Sequence, residues 1–303
     1  MQTTYDSIFV IGPTASGKTA LAVRIADALE GEIISADSRQ VYRKMDLGTG
    51  KDLHEFTYNN TTIPYHLIDI CDAGDNYNIE RFYLDAGAAI ASVKSRNKLP
   101  VICGGSGLYI ETLLKGNEFA SIPKNKMLRE QLVTKEKEEL FRLFESIPVD
   151  LRSRLDNLSV KKTIRAIEIA EYIAEYGMPE RRNLGLKPLI LATEVDRETR
   201  RNRISKRLRA RFQEGMIEEV EGLLRDGVTP EQLKFYGLEY FWITQYVTGE
   251  IDYTTMENSL ETAIHQFAKR QMTWFRRMEK QGYTLQWVPS DIPIDSVMQL
   301  LGN

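Results

Sequence analysis

A chain of 303 residues with 42% apolar and 27% charged side chains has room for one large or two modest domains and the make-up of an ordinary soluble globular protein. Its two cysteines, Cys71 and Cys103, form no C-x-x-C pair, which argues against a disulfide framework or a zinc site. With no signal-like N-terminus and no apolar run of membrane-spanning length, the expected location is the cytoplasm, and the net charge of −3 does not by itself indicate a nucleic-acid partner.

Ser7 to Ile11 is a short apolar run suited to a buried strand, and Thr19 to Leu29 carries Ala, Leu and Ile at helical spacing. Between them, Gly12-Pro13-Thr14-Ala15-Ser16-Gly17-Lys18-Thr19 meets the pattern G-x-x-x-x-G-K-[ST] at every fixed position. Gly12 and Gly17 let the backbone curl until successive N–H groups point inward, Lys18 adds a cation, and Thr19 offers a hydroxyl to Mg²⁺. The helix that follows turns its positive end towards the phosphates. This loop is built to hold a diphosphate.

Glu32 to Ser35 reads as a second strand and runs into Asp37-Ser38-Arg39-Gln40-Val41-Tyr42. Residues just past the carboxyl end of a parallel strand overhang the ligand crevice, so Asp37 is expected near the phosphate loop. Tyr65 to Ile70 is a third strand carrying Asp69, Glu80 to Val93 an amphipathic helix, and Pro100 to Cys103 a fourth strand. The glycines of Gly104-Gly105-Ser106-Gly107 then let the backbone approach a ligand or another chain segment closely.

From about Gly116 the strand and helix alternation stops. Lys126 to Ser146, Val149 to Leu155 and Val160 to Tyr176 read as helices, the last closed by Gly177-Met178-Pro179. Residues 117–185 are therefore expected to be a helical insertion in an α/β domain made of 1–116 and 186–303.

Leu189 to Val195 returns to strand character, and Arg197 to Phe212 is a very basic helix. Between Arg181 and Arg211 there are eleven Lys or Arg against three Asp or Glu, a local +8 in a chain whose total is −3. Ile204, Leu208 and Phe212 make a core stripe on that helix, with Arg200, Arg203, Arg207 and Arg211 as a second stripe alongside. Arginines beside a buried stripe lie at a cleft edge, where guanidinium forks take phosphate oxygens in a bidentate way. Helices at Ile217 to Arg225, Pro230 to Val247 and Thr255 to Lys280 precede a last strand at Thr284 to Val288. On the long helix, Leu260, Ile264, Phe267, Trp274, Phe275 and Met278 suit a core face, so its aromatics are expected to pack rather than to stack on bases.

The loop alone admits an NTPase or a small-molecule kinase, with Asp37 or Asp69 as a further acid for Mg²⁺. It also suits a diphosphate that departs from an allylic carbon. Lys18, Mg²⁺, the loop N–H groups and arginines of the basic helix would then stabilise the departing oxygens, and Asp37 is the candidate base for the acceptor's proton.

The motifs carry a resemblance. The chain is similar to the tRNA dimethylallyltransferases, or tRNA isopentenyltransferases, in Gly-Pro-Thr-Ala-Ser-Gly-Lys-Thr at Gly12, Asp-Ser-Arg-Gln-Val-Tyr at Asp37, Met-Asp-Leu-Gly-Thr-Gly-Lys at Met45, His-Leu-Ile-Asp at His66, Gly-Gly-Ser-Gly-Leu-Tyr at Gly104, Arg-Ala-Ile-Glu at Arg165 and Ala-Lys-Arg-Gln-Met-Thr-Trp-Phe at Ala268. These run in family order over nearly the whole chain.

The resemblance implies a P-loop parallel sheet flanked by helices. It also implies transfer of a dimethylallyl group from dimethylallyl diphosphate to N6 of the adenosine just 3′ of the tRNA anticodon. By the same resemblance Asp37 is the base on N6; Gly12, Pro13, Thr14, Ala15, Ser16, Gly17, Lys18, Thr19, Arg203 and Arg207 hold the diphosphate, with Thr19 on Mg²⁺. Asp37, Ser38, Arg39, Gln40, Ser106, Lys161, Lys162, Thr163, Ile164 and Arg165 contact the tRNA.

The chain departs from the family pattern at Ser106, usually Thr, at Gly237-Leu238-Glu239-Tyr240, usually Gly-Tyr-Lys/Arg-Glu, and at Asp156-Asn157-Leu158-Ser159, usually His-Pro-Asn-Asp. Prenylation of a free adenine nucleotide and a non-catalytic, nucleotide-regulated RNA binder are the other readings. No uncovered apolar stripe asks for a partner, so a monomer is expected.

Overall fold

Ser7–Ile11 (β1) is buried along its whole length, which only the middle of a sheet covered on both faces allows. A helix at Lys18–Ala28 (α1) and a second buried strand at Glu32–Ser35 (β2) follow. A small antiparallel hairpin of Thr57–Tyr58 (β3) and Thr61–Thr62 (β4) leads to Tyr65–His66 (β5), Ile79–Ser95 (α2), Pro100–Gly104 (β6) and Gly107–Lys115 (α3). Next come helices Lys126–Val133 (α4), Lys137–Glu145 (α5), Val149–Arg152 (α6) and Val160–Tyr176 (α7). The chain then returns to the sheet as Pro188–Glu194 (β7). The rest is helical, with Arg197–Gln213 (α8), Met216–Arg225 (α9), Pro230–Phe235 (α10), Leu238–Val247 (α11) and Tyr253–Lys280 (α12). A last strand, Gln286–Pro289 (β8), and a closing helix, Ile294–Gly302 (α13), complete it.

This computed structural model describes residues 5–116, 118–180 and 182–302. The chain divides into two compact units, Met1–Leu114 with Leu184–Asn303, and Lys115–Asn183. In the first, six strands lie in the order β5-β2-β6-β1-β7-β8, every neighbouring pair parallel. Alternate residues feed opposite cores: Phe9, Ile11, Ile34 and Ile102 point to one, Ile8, Val10, Ile33 and Val101 to the other. The parallel register places the segments after β1, β2 and β6 side by side at one sheet edge, where a ligand crevice forms. In the second unit, Leu132 and Leu140 close on Ile164 and Ile167 of α7. Among the described residues no helix is long and apolar enough to cross a membrane.

Several elements differ from the sequence reading for identifiable reasons. The third strand stops at His66 because Leu67 and Asp69 take positive φ, 63° and 56°, which a strand does not allow. The expected single helix from Lys126 breaks around Thr134, and the one from Pro230 breaks at Gly237, whose φ is 136°. Helices α3 and α13 were not foreseen. The first opens directly out of the glycine turn at Gly104-Gly105-Ser106-Gly107.

Candidate active site

The phosphate loop is shaped by what its glycines exclude. A Cβ on Gly12 would lie 2.0 Å from the hydroxyl oxygen of Thr193. That hydroxyl donates to the Ile11 carbonyl at 3.2 Å and meets the Ser16 hydroxyl at 2.6 Å, so β7 pins the base of the loop. Gly17, at φ 82°, is the N-cap of α1. The first N–H groups of that helix have no partner within it and are available to an anion.

Gln271 on α12 straps this loop to the glycine turn. Its Oε1 accepts from the Thr14 N–H at 2.8 Å and its Nε2 donates to the Gly105 carbonyl at 3.0 Å. Gln271→Leu would leave both backbone groups unpaired in a buried place and is expected to cost about 2–4 kcal/mol of stability, seen as a lower Tm. The Thr14 N–H is thus already taken, Pro13 has no N–H, and the Ser16 hydroxyl is committed to Thr193. Of the loop residues expected on the diphosphate, Ala15, Ser16, Gly17, Lys18 and Thr19 keep backbone N–H groups that are not so engaged.

Two cations face the loop. Burial pulls the Lys18 ammonium below the ordinary lysine range, opposed by Cys103 and reinforced by Arg207. Arg207 donates to the Thr14 hydroxyl; burial, then the neighbouring Arg211, bring its pKa down to about 10, so it stays charged at neutral pH. Arg203 is exposed and lines the same cavity. Arg211 was expected on the same phosphate-facing stripe. It is instead 6% exposed and paired with Asp52 at 2.9 Å, so its charge is spent inside the wall.

Asp37 stands just past β2. Its Oδ1 accepts from the Arg39 N–H at 2.9 Å, a turn that Asp forms with its own following backbone. Its own N–H donates to the Ser35 hydroxyl at 3.3 Å, and that hydroxyl donates to Gln40 Oε1 at 2.8 Å. Gln40 in turn donates to the Gly50 carbonyl at 3.1 Å, and the Ser38 N–H donates to the Ser106 hydroxyl at 3.3 Å. Ser38, Gln40 and Ser106 therefore hold the Asp37 segment in place. Among the described residues the second carboxylate oxygen takes no hydrogen bond and is left for a substrate.

A cavity of about 930 Å³ joins the two halves, with Lys18, Thr19 and Arg207 lining it together with Asp37 and Ser106. Among the described residues no three His, Cys, Asp or Glu side chains gather into a metal cage. The donors present suit Mg²⁺ as it is usually held on phosphates, by one hydroxyl, here Thr19, and by substrate oxygens and water. Asp69, the other acid considered for a metal, is bound to the buried Lys51, away from the cavity.

The unusual Gly-Leu-Glu-Tyr segment is accommodated locally. Tyr240 donates to Glu219 at 2.6 Å, and Glu219 accepts from the N–H groups of Asp46, Leu47 and Gly48 at 2.8, 2.8 and 3.0 Å. Glu239 lines the cavity, and burial raises its carboxyl pKa against the pull of Arg211 and Arg207. Sequence reasoning missed Glu239, Thr193 and the strap role of Gln271. The only signal was that Gln271 sits inside a quoted motif. Phe267, expected in the core, is 39% exposed and lines the cavity.

A profile of the family described as IPP transferase matches residues 40–278 of this chain, and one described as Isopentenyl transferase matches residues 6–64. The chain belongs to the IPP transferase family. It is 50% identical over 291 residues to tRNA dimethylallyltransferase 2 of Bacteroides fragilis, spanning 96% of this chain and 95% of that one. It is 51% identical over 285 residues to tRNA dimethylallyltransferase 1 of Azobacteroides pseudotrichonymphae, spanning 94% and 93%. Among solved structures, the full-length tRNA isopentenylpyrophosphate transferase of Bacillus halodurans superposes with a TM-score of 0.70 at 27% identity, covering 99% of this chain and 95% of that one.

The second unit carries the remaining residues expected to touch RNA. Thr163 is 1% and Ile164 4% exposed, so neither side chain reaches a ligand. Arg165 donates to the carbonyls of Phe119, Ile122 and Pro123 and faces Glu168, an arrangement that holds the unit together. Lys161 and Lys162 are exposed, although Lys162 is paired with Asp156 at 2.5 Å. In this IPP transferase, the side chains of this stretch that remain on the surface are those of the two lysines.

Proposed function

We propose that this IPP transferase moves a dimethylallyl group from dimethylallyl diphosphate to N6 of the adenosine just 3′ of the anticodon in tRNA. The observation that carries this reading is that one cavity holds both a phosphate cradle and, on a different strand end, a carboxylate with a free oxygen.

The allylic carbon–oxygen bond breaks and a bond from that carbon to N6 forms, while the N6 proton passes to Asp37. Lys18, Arg207 and the N–H groups at the start of α1 bind the oxygens that gain charge. With Thr19 and substrate oxygens as its ligands, Mg²⁺ would supply further neutralisation of the diphosphate. N6 lies within a stacked anticodon loop, so the adenosine must be extruded to reach the carbon. The fixed turn around Asp37 keeps the base aimed while the RNA rearranges.

A kinase reading keeps only Asp37 as its further acid, since Asp69 is bound to Lys51. For a free adenine nucleotide as acceptor, the exposed basic face of α8 would have no purpose. Incubating the protein with unmodified tRNA and radiolabelled dimethylallyl diphosphate tests the proposal directly. Label must enter the tRNA, and AMP must not compete. We propose a cytoplasmic monomer as the working form.

The depressed Lys18 pKa sets a pH dependence for the donor. A bound diphosphate favours the ammonium and raises its pKa, so the Lys18 contribution to affinity is complete below its free-protein pKa and is lost as pH rises through the higher pKa of the bound state. Calorimetry in buffers of different ionisation enthalpy should show proton uptake on diphosphate binding that grows on the alkaline side. Lys18→Met should abolish the uptake.

A further inference from the structure

The long helix α12 buries Phe275 completely but leaves Phe267 39% exposed, and Phe235 at the end of α10 is 65% exposed. Both rings line the cavity that holds Asp37, and each has an arginine over its face. Arg39 stands 5.7 Å from the Phe235 centroid and Arg270 5.9 Å from that of Phe267, and both arginines line the same cavity. Trp274 differs. Its ring packs so closely on the backbone that a Cβ on Gly107 would lie 2.3 Å away, so it is part of the wall.

Each ring gains only a modest contact from its arginine in the free protein and leaves apolar surface in water at the mouth of the cavity. A flat apolar face beside a guanidinium matches a nucleotide, with the base stacking on the ring and the cation meeting the adjoining phosphate. Extruding one base from a stacked loop also strips its two neighbours of a stacking partner, and these need new faces. Arg39 belongs to the same turn as Asp37, which puts the Phe235 couple beside the base that accepts the proton.

Building on the function proposed above, we infer that Phe235 and Phe267 are positioning residues that stack on the two nucleobases flanking the reacting adenosine. They hold the loop open around the extruded base and leave the chemistry to Asp37.

The test uses the full chain and an anticodon stem-loop RNA. Phe235→Ala and Phe267→Ala should each raise KM for the stem-loop about tenfold, within the range for loss of one stacked base. The Kd for dimethylallyl diphosphate should be unchanged, and kcat should fall less than KM rises. Phe→Trp at either site should restore KM. With stem-loops made abasic at one flanking position, the matching Ala variant should lose its penalty while the other keeps it. Equal penalties on intact and abasic RNA, or none on intact RNA, would overturn the inference and leave the proposed function standing. Failure of the unmutated protein to prenylate the intact stem-loop would remove both.

Discussion

Asp37→Ala should reduce kcat for prenyl transfer by about 10²–10⁴, the range for loss of a positioned general base, while the Kd of dimethylallyl diphosphate stays within twofold of its original value. The separation follows from the structure, because the Asp37 carboxylate makes its hydrogen bond to the Arg39 N–H and none to the phosphate loop. Asp37→Asn makes the test stricter, since an amide oxygen can still accept from that N–H and keep the turn. If the Asn variant binds the donor normally and still turns over at near the original rate, Asp37 is not the base. Single-turnover measurements with saturating RNA separate the chemical step from binding and release.

The second large effect is expected at the leaving group. Lys18→Ala and Arg207→Ala should each lower kcat by about 10²–10³, as for removal of one donor from a charge-stabilising site, with little change in affinity for tRNA. Arg207 is held by its bond to the Thr14 hydroxyl and crowded by Arg211, so it is charged, desolvated and already aimed before a substrate arrives. Arg207→Lys should recover only part of the loss, because a lysine cannot reproduce the planar fork. The double variant should lose less than the product of the two single losses, since both cations act on the same oxygens. An unchanged kcat in both single variants would place the departing group elsewhere.

Much of this was legible in the sequence, and the reason is local. The strands at β1, β6 and β7 are largely apolar runs, which is how a strand covered on both faces reads. The phosphate loop is a motif whose every fixed position has a backbone cause. Asp37 was legible because a strand end predicts direction as well as place.

Contacts made across long stretches of chain were not legible. Gln271 reaches the loop from 257 residues away, and Thr193 meets Ser16 from 177. Helical spacing put Arg207 and Arg211 on one stripe, yet Asp52 takes the second of them, and no periodicity reveals a carboxylate waiting on another segment. The same holds for Arg165, which the family resemblance put on RNA and whose guanidinium donates to carbonyls of its own unit. Periodicity also placed Phe267 with the core residues of its helix, although the cavity opens where that side chain emerges.

Glu219 has a consequence for where an anion settles. Three successive backbone amides at Asp46, Leu47 and Gly48 converge as they would around a phosphate, but the protein stoppers that socket with a carboxylate of its own, steadied by a tyrosine. On the function proposed above, a pyrophosphate would meet like charge at that socket, and a cation at the loop of Lys18.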